Sequence, residues 1–216
     1  MTDDERFNKW GEWIMTIHED VENAILNRHI RHEVAAIIDS NPRIQRPSSF
    51  YEWMAAVYSD SGLMAVRRQL DIDLQSVSLA RLLTEIVAYP SVLSRDRFVG
   101  LYRVELQAVA HREFDRHVGS GANNIDPAVV QAESDDLRQR TRDVGRYGTK
   151  RVAHLDEKGP KNIPTFQELD DALDLINALR VKVPPPPARS FVPGAGVGLR
   201  LEGDLPGTVD DPLTGC

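Results

Sequence analysis

An all-α fold is expected for this chain of 216 residues. Three observations point to it. Apolar residues recur every three or four positions along each long segment, which gives each segment one buried helical face. Capping residues open these segments, and proline or glycine closes them. No run alternates apolar and polar residues with the period of a half-buried strand. Together they predict about five to six helices.

Residues 6–39 read as one long or kinked helix, or two in succession. Phe7, Trp10, Ile14, Ile17, Val21 and Ile25 share a face, Val34, Ile37 and Ile38 continue it, and Asn41-Pro42 stops it. Ser49 and Glu52 form a capping box for a second helix that runs towards residue 70. Leu79, Leu82, Leu83, Ile86 and Val87 make a third helix over 78–88, ended by Pro90. Ser94 caps a fourth, with Asp96 favoured by the helix dipole. Its stripe of Val99, Tyr102, Leu106 and Val109 is expected to be buried, with the helix reaching His117. Gly119-Ser120-Gly121 breaks it, and Asp126-Pro127 starts a polar, arginine-rich helix over about 127–147. Thr165 and Glu168 form another capping box, before the stripe Leu169, Leu173, Ile176 and Leu179.

From Pro184 the composition changes. The tail holds 7 of the 13 prolines and 6 of the 14 glycines. Such a stretch has too little apolar surface to offset its ordering entropy, so it is expected to be disordered. The chain therefore divides into a helical domain over 1–183 and a Pro/Gly-rich tail over 184–216. Gly194-Ala195-Gly196-Val197-Gly198 lacks the flanking strand and helix of a phosphate loop.

The 26 basic and 33 acidic groups give a net charge of −7, which disfavours indiscriminate nucleic-acid binding but leaves room for a local basic site. The single cysteine, Cys216, excludes disulfides and cysteine metal sites within the chain. No apolar run approaches the roughly 20 residues of a membrane span. The acidic start Met1-Thr2-Asp3-Asp4-Glu5 is the opposite of a secretory signal. These features predict a cytoplasmic protein with no membrane partner.

Titratable and cationic chemistry concentrates around His154. Arg138, Arg140, Arg142, Arg146, Lys150 and Arg151 precede it, with Asp143 the one acidic residue between 138 and 151. Imidazole exchanges a proton near neutral pH, and guanidinium groups fork onto phosphate oxygens. One reading is an RNA or nucleotide phosphate site. The other is a solvated helix face balanced by Glu133, Asp135, Asp136, Asp156 and Glu157. Arg67, Arg68 and Arg81 either extend a phosphate surface or pair with carboxylates while Asp71 and nearby serines organise a turn. His29 and His32 share a helix face without a completing carboxylate pattern, so no metal or other cofactor is expected. Trp10, Trp13 and Trp53 read as core or dimer-seam aromatics.

Four pieces together carry a family resemblance. They are Arg67-Arg68-Gln69-Leu70-Asp71, Ser76-Val77-Ser78-Leu79-Ala80-Arg81-Leu82-Leu83, Lys150-Arg151-Val152-Ala153-His154-Leu155-Asp156 and Pro164-Thr165-Phe166-Gln167-Glu168-Leu169. Over roughly residues 10–180 the chain resembles the HEPN superfamily, above all its U-type abortive-infection branch. The resemblance implies an up-and-down helical bundle, paired as a homodimer. It further implies a metal-independent endoribonuclease of phage defence or a toxin–antitoxin system, with RNA and an antitoxin as partners. Family members use arginine, four to six intervening residues, then histidine. Here His154 matches, whereas Arg146 leaves seven intervening residues and Arg151 leaves two. Carried over, His154 would move the proton, Arg151 and Arg146 would hold the scissile phosphate, and Arg142, Lys150, Arg67, Arg68 and Arg81 would extend the RNA-binding surface. Other members are inactive, so the alternative is a non-catalytic binding or assembly module on the same bundle.

Overall fold

The computed structural model describes residues 1–153 and 162–183, and among these it is an all-α helical bundle with no strand. Helix α1 (Asp3–Ser40) is continuous over 38 residues. Thr2 and Glu5 close a capping box on it, with the Thr2 amide donating to Glu5 over 2.7 Å. At 1.5 Å per residue α1 is about 57 Å long. Its N-terminal half buries Trp10, Ile14, Ile17 and Val21, whereas Ile37 in its C-terminal half is exposed. The apolar stripe therefore outlasts the core it packs against.

Helix α2 (Ser49–Gln69) returns antiparallel along α1. Its cap is Ser48, one residue before the expected Ser49, and the Ser48 hydroxyl accepts from the Phe50 amide. The shift removes the box with Glu52, because the cap-to-glutamate spacing becomes four residues instead of three. Helix α3 (Leu79–Ala88) is capped by Ser78 and buries Leu79, Leu82, Leu83 and Ile86. It packs mainly on α6 (Pro127–Arg140), which Asp126 caps and Pro127 opens. Helix α8 (Phe166–Lys182) keeps the expected Thr165–Glu168 box and runs antiparallel to α1, with Asp174 beside Arg28 and Arg180 beside His18.

Two expected helices are divided. The segment expected to run unbroken from Ser94 to His117 splits into α4 (Arg95–Gly100) and α5 (Gln107–Val118), joined through a 3-10 turn over Val104–Leu106. The split lets Phe98 and Val99 face Ala110 and Phe114 in a small cluster of their own. Leu106 and Val109 are consequently exposed, not buried. The second division falls at Thr141, between α6 and α7 (Arg142–Tyr147). The Thr141 hydroxyl is buried and donates to the Leu137 carbonyl over 2.6 Å, a local bond that competes with the helix ladder. A π-helical turn over Gly148–Ala153 follows. No helix among the described residues is long and apolar enough to cross a membrane.

Candidate functional site

Helix α7 and the π turn lie directly on the C-terminal end of α2. Two glycines permit this. A Cβ at Gly148 would sit 3.0 Å from the Leu63 carbonyl oxygen, and one at Gly145 would sit 2.7 Å from Leu70 Cδ1. A side chain at Gly148 would press on backbone and push the elements apart, whereas one at Gly145 would require the Leu70 side chain to shift. Beside the contact lies an open cleft of about 260 Å³. Arg67, Leu70 and Asp71 line it from the end of α2, and Arg142, Gly145, Arg146 and Thr149 from the other wall.

The cleft is rich in unneutralised cations. Arg142 and Arg146 are exposed and Arg67 is half-buried. Neither Arg67 nor Arg146 makes an ion pair among the described residues, and Arg142 has only its neighbour Asp143 at 3.6 Å. Asp71 is the acidic member. The Asp73 amide donates to its carboxylate over 2.9 Å and holds it below the usual carboxylate range, with the Ser76 hydroxyl and the Arg67 charge adding to the effect. Asp71 is thus an anionic hydrogen-bond acceptor set among three guanidinium groups. Such a cleft can fork onto a phosphate while accepting a hydrogen bond from a neighbouring hydroxyl.

The other sequence candidates divide sharply. Arg151 is exposed on the π turn, next to a half-buried Lys150. His154 follows Ala153 directly in the chain and lies outside the described residues, as does the tail over 184–216. Arg68 turns away to Asp20, with Nη2 at 2.6 Å and Nε at 3.1 Å from one carboxylate oxygen. Gln69 donates to the same aspartate over 2.7 Å and accepts from the Leu79 amide over 3.0 Å. This chain of bonds ties α1, α2 and α3 together. Arg81 packs 4.3 Å from the Trp13 ring, donates to the Ser76 carbonyl over 2.5 Å and lies 3.6 Å from Glu85. Both arginines therefore serve the bundle, whereas Arg67, their neighbour, serves the cleft.

One polar cluster escaped the sequence reading. Asp170 in the first half of α8 is 6% exposed and accepts from the Tyr58 hydroxyl. His32 Nε2 lies 2.8 Å from its other oxygen. Burial first, and the Asp170 hydrogen bond second, push the Tyr58 hydroxyl well above its ordinary pKa. Arg28 donates to the Asp170 carbonyl over 3.2 Å and to Asp174 over 2.6 Å. The available signal was the position of Asp170 directly after Leu169 and before Ala172 and Leu173 on the buried side. Among the described residues no group of three or more His, Cys, Asp or Glu side chains could hold a metal.

No protein-family model, curated protein or solved structure matches this chain.

Proposed function

We propose that this protein binds RNA through the cleft between α2 and α7 and cleaves it without a metal, as a HEPN-like endoribonuclease of phage defence or a toxin–antitoxin system. The reading rests on the gathering of Arg67, Arg142 and Arg146 around one open cleft with little carboxylate to neutralise them. Their guanidinium groups hold backbone phosphates, and Asp71 accepts from a ribose hydroxyl, which favours RNA over DNA. His154 exchanges the proton as the 2′-hydroxyl attacks the adjacent phosphorus, and the arginines stabilise the crowded phosphorane. Two chains pair as a homodimer, with the His154 rings and arginines of both facing one shared cleft.

The test is cleavage of labelled RNA by pure protein in the presence of a chelator. Wild-type protein should cut, and His154→Ala should lose cutting by at least a hundredfold with unchanged helical content. Cutting at the wild-type rate by His154→Ala overturns the catalytic assignment. A second reading, a non-catalytic binding or assembly module, is favoured by the exposed apolar residues Ile37, Phe50 and Trp53 on α1 and α2. RNA retention that depends on Arg67 and Arg146, with no product, would select it.

A further inference from the structure

Beyond the start of α8, helices α1 and α2 continue as a hairpin. Phe166, its ring 5.9 Å from that of Tyr58, and Asp170, 2.8 Å from His32, close the inner end of this hairpin. Between the two helices runs a groove of about 370 Å³. Ile30, Val34, Ile38, Met54 and Val57 give it apolar walls, because α1 repeats apolar residues at helical spacing past the end of the core. Trp53 stands towards the outer end, 60% exposed and stacked on Phe50 at 5.9 Å, in contrast to the buried Trp10 and Trp13. A groove of this size falls within the range of small-molecule pockets, about 300–1,000 Å³.

Most polar groups of the groove are already engaged. The Tyr51 hydroxyl donates to the Ile44 carbonyl over 2.9 Å, the Ser61 hydroxyl to the Tyr58 carbonyl over 3.1 Å, and the Tyr58 hydroxyl to Asp170. Asp170 also faces His32, and Arg28 is taken by Asp174 over 2.6 Å. Arg31 is the exception. It is the one charged residue in the described lining, and its guanidinium sits 4.1 Å from the Phe166 ring and 5.1 Å from the Tyr58 ring. Among the described residues it makes no hydrogen bond or ion pair. The two rings hold the flat face of the guanidinium and leave its N–H fork open to a ligand. Asn27, four residues earlier on the same helix face, brings a neutral amide to the same end. The groove is thus cationic at one end and apolar along the rest.

We propose that this groove binds a single-chain amphiphilic carboxylate of the fatty-acid class. The carboxylate accepts two N–H bonds from the Arg31 fork, and the alkyl chain lies between α1 and α2 towards Trp53. A guanidinium is weakly hydrated and matches a carboxylate in two parallel bonds, so the pair forms at modest desolvation cost. One cation suits a monoanion, whereas a phosphate monoester, with its second charge, would call for another cation. The site uses none of the residues of the α2–α7 cleft, so absence of RNA cleavage leaves it untouched.

Titration of the full chain with decanoate, followed by tryptophan emission, tests the site. Trp10 and Trp13 are buried, so the signal reports Trp53, and Trp53→Phe should abolish it. Binding should saturate below about 1 mM. Dodecanoate should bind about tenfold more tightly, since each buried methylene strengthens binding severalfold. Arg31→Gln should weaken decanoate by about tenfold or more and leave 1-decanol unchanged. If Arg31→Gln fails to fold, decylammonium decides on the unaltered chain. It has the same tail and the opposite charge, and it should bind at least about tenfold more weakly than decanoate. Absence of saturation, equal affinity for decanoate and decylammonium, a signal that survives Trp53→Phe, or a folded Arg31→Gln chain with wild-type affinity would each overturn the proposal. So would a Trp53 already shielded from acrylamide in the unliganded chain, because a second copy or the chain's own tail would then fill the groove.

Discussion

Two groups of charged side chains, one beside the middle of α2 and one at its C-terminal end, behave differently. Around Tyr58 the polar groups are saturated: Asp170 accepts from Tyr58, faces His32 and shares its backbone carbonyl with Arg28. Around Arg67 the cations face an open cleft, and among the described residues only Asp71 and Asp143 oppose them. The residue types are alike, but their environments are not. A buried carboxylate is tolerated only when hydrogen bonds replace the water it has lost, so the first cluster is part of what holds α1, α2 and α8 together. The cleft charges keep their hydration and remain available for a ligand. A charge contributes to the fold where it is enclosed and to binding where it is left open.

The largest effect on stability should come from the enclosed cluster. Asp170→Ala leaves the buried Tyr58 hydroxyl and His32 without their acceptor and should cost about 2–3 kcal/mol in urea unfolding. A loss below about 0.5 kcal/mol, the range of an ordinary surface substitution, would erase the distinction between the two regions. Gly148→Ala comes next. The added methyl meets the Leu63 carbonyl, a backbone atom that cannot rotate away, so a loss of about 1–3 kcal/mol is expected. Gly145→Ala should cost less, because it meets the end of a flexible leucine.

The cleft should respond in the opposite sense. Arg67→Ala and Arg146→Ala should each change stability by no more than about 0.5 kcal/mol. Each should weaken RNA binding and lower the slope of log affinity against log salt by about one phosphate contact. Filter binding across a salt series checks this, and an unaltered slope removes that arginine from the site. The smallest effect concerns pH. Burial lowers the His117 pKa below its ordinary value, so the folded state favours the neutral ring. Its contribution to stability is therefore full above the unfolded pKa of about 6.5 and is lost as pH falls through the folded value. Replacing His117 with Gln should flatten that part of the urea-midpoint profile below neutrality.

Much of the bundle was legible from local chemistry. Ser94, Asp126 and Thr165 cap where their side chains can bond the first free amides, and this needs only neighbours in sequence. The Trp10, Ile14, Ile17 and Val21 stripe needs only helical periodicity. Reading failed where distant partners compete. Tyr102 and Leu106 fit one helical stripe, yet packing of Phe98 against Phe114 at 5.7 Å turns the chain back between them. The site divided in the same way. Arg67 and Arg68 are adjacent in the chain, but Asp20, 48 residues away from Arg68, claims one and not the other.

Periodicity and capping depend on atoms within about one helical turn, and so the helices and their apolar faces follow from residue order alone. Which arginine is neutralised, which aspartate is enclosed and which apolar stripe stays bare depend on what other elements bring within a few ångströms. Those outcomes belong to the packing, because burial and ion pairing act through space and not along the chain.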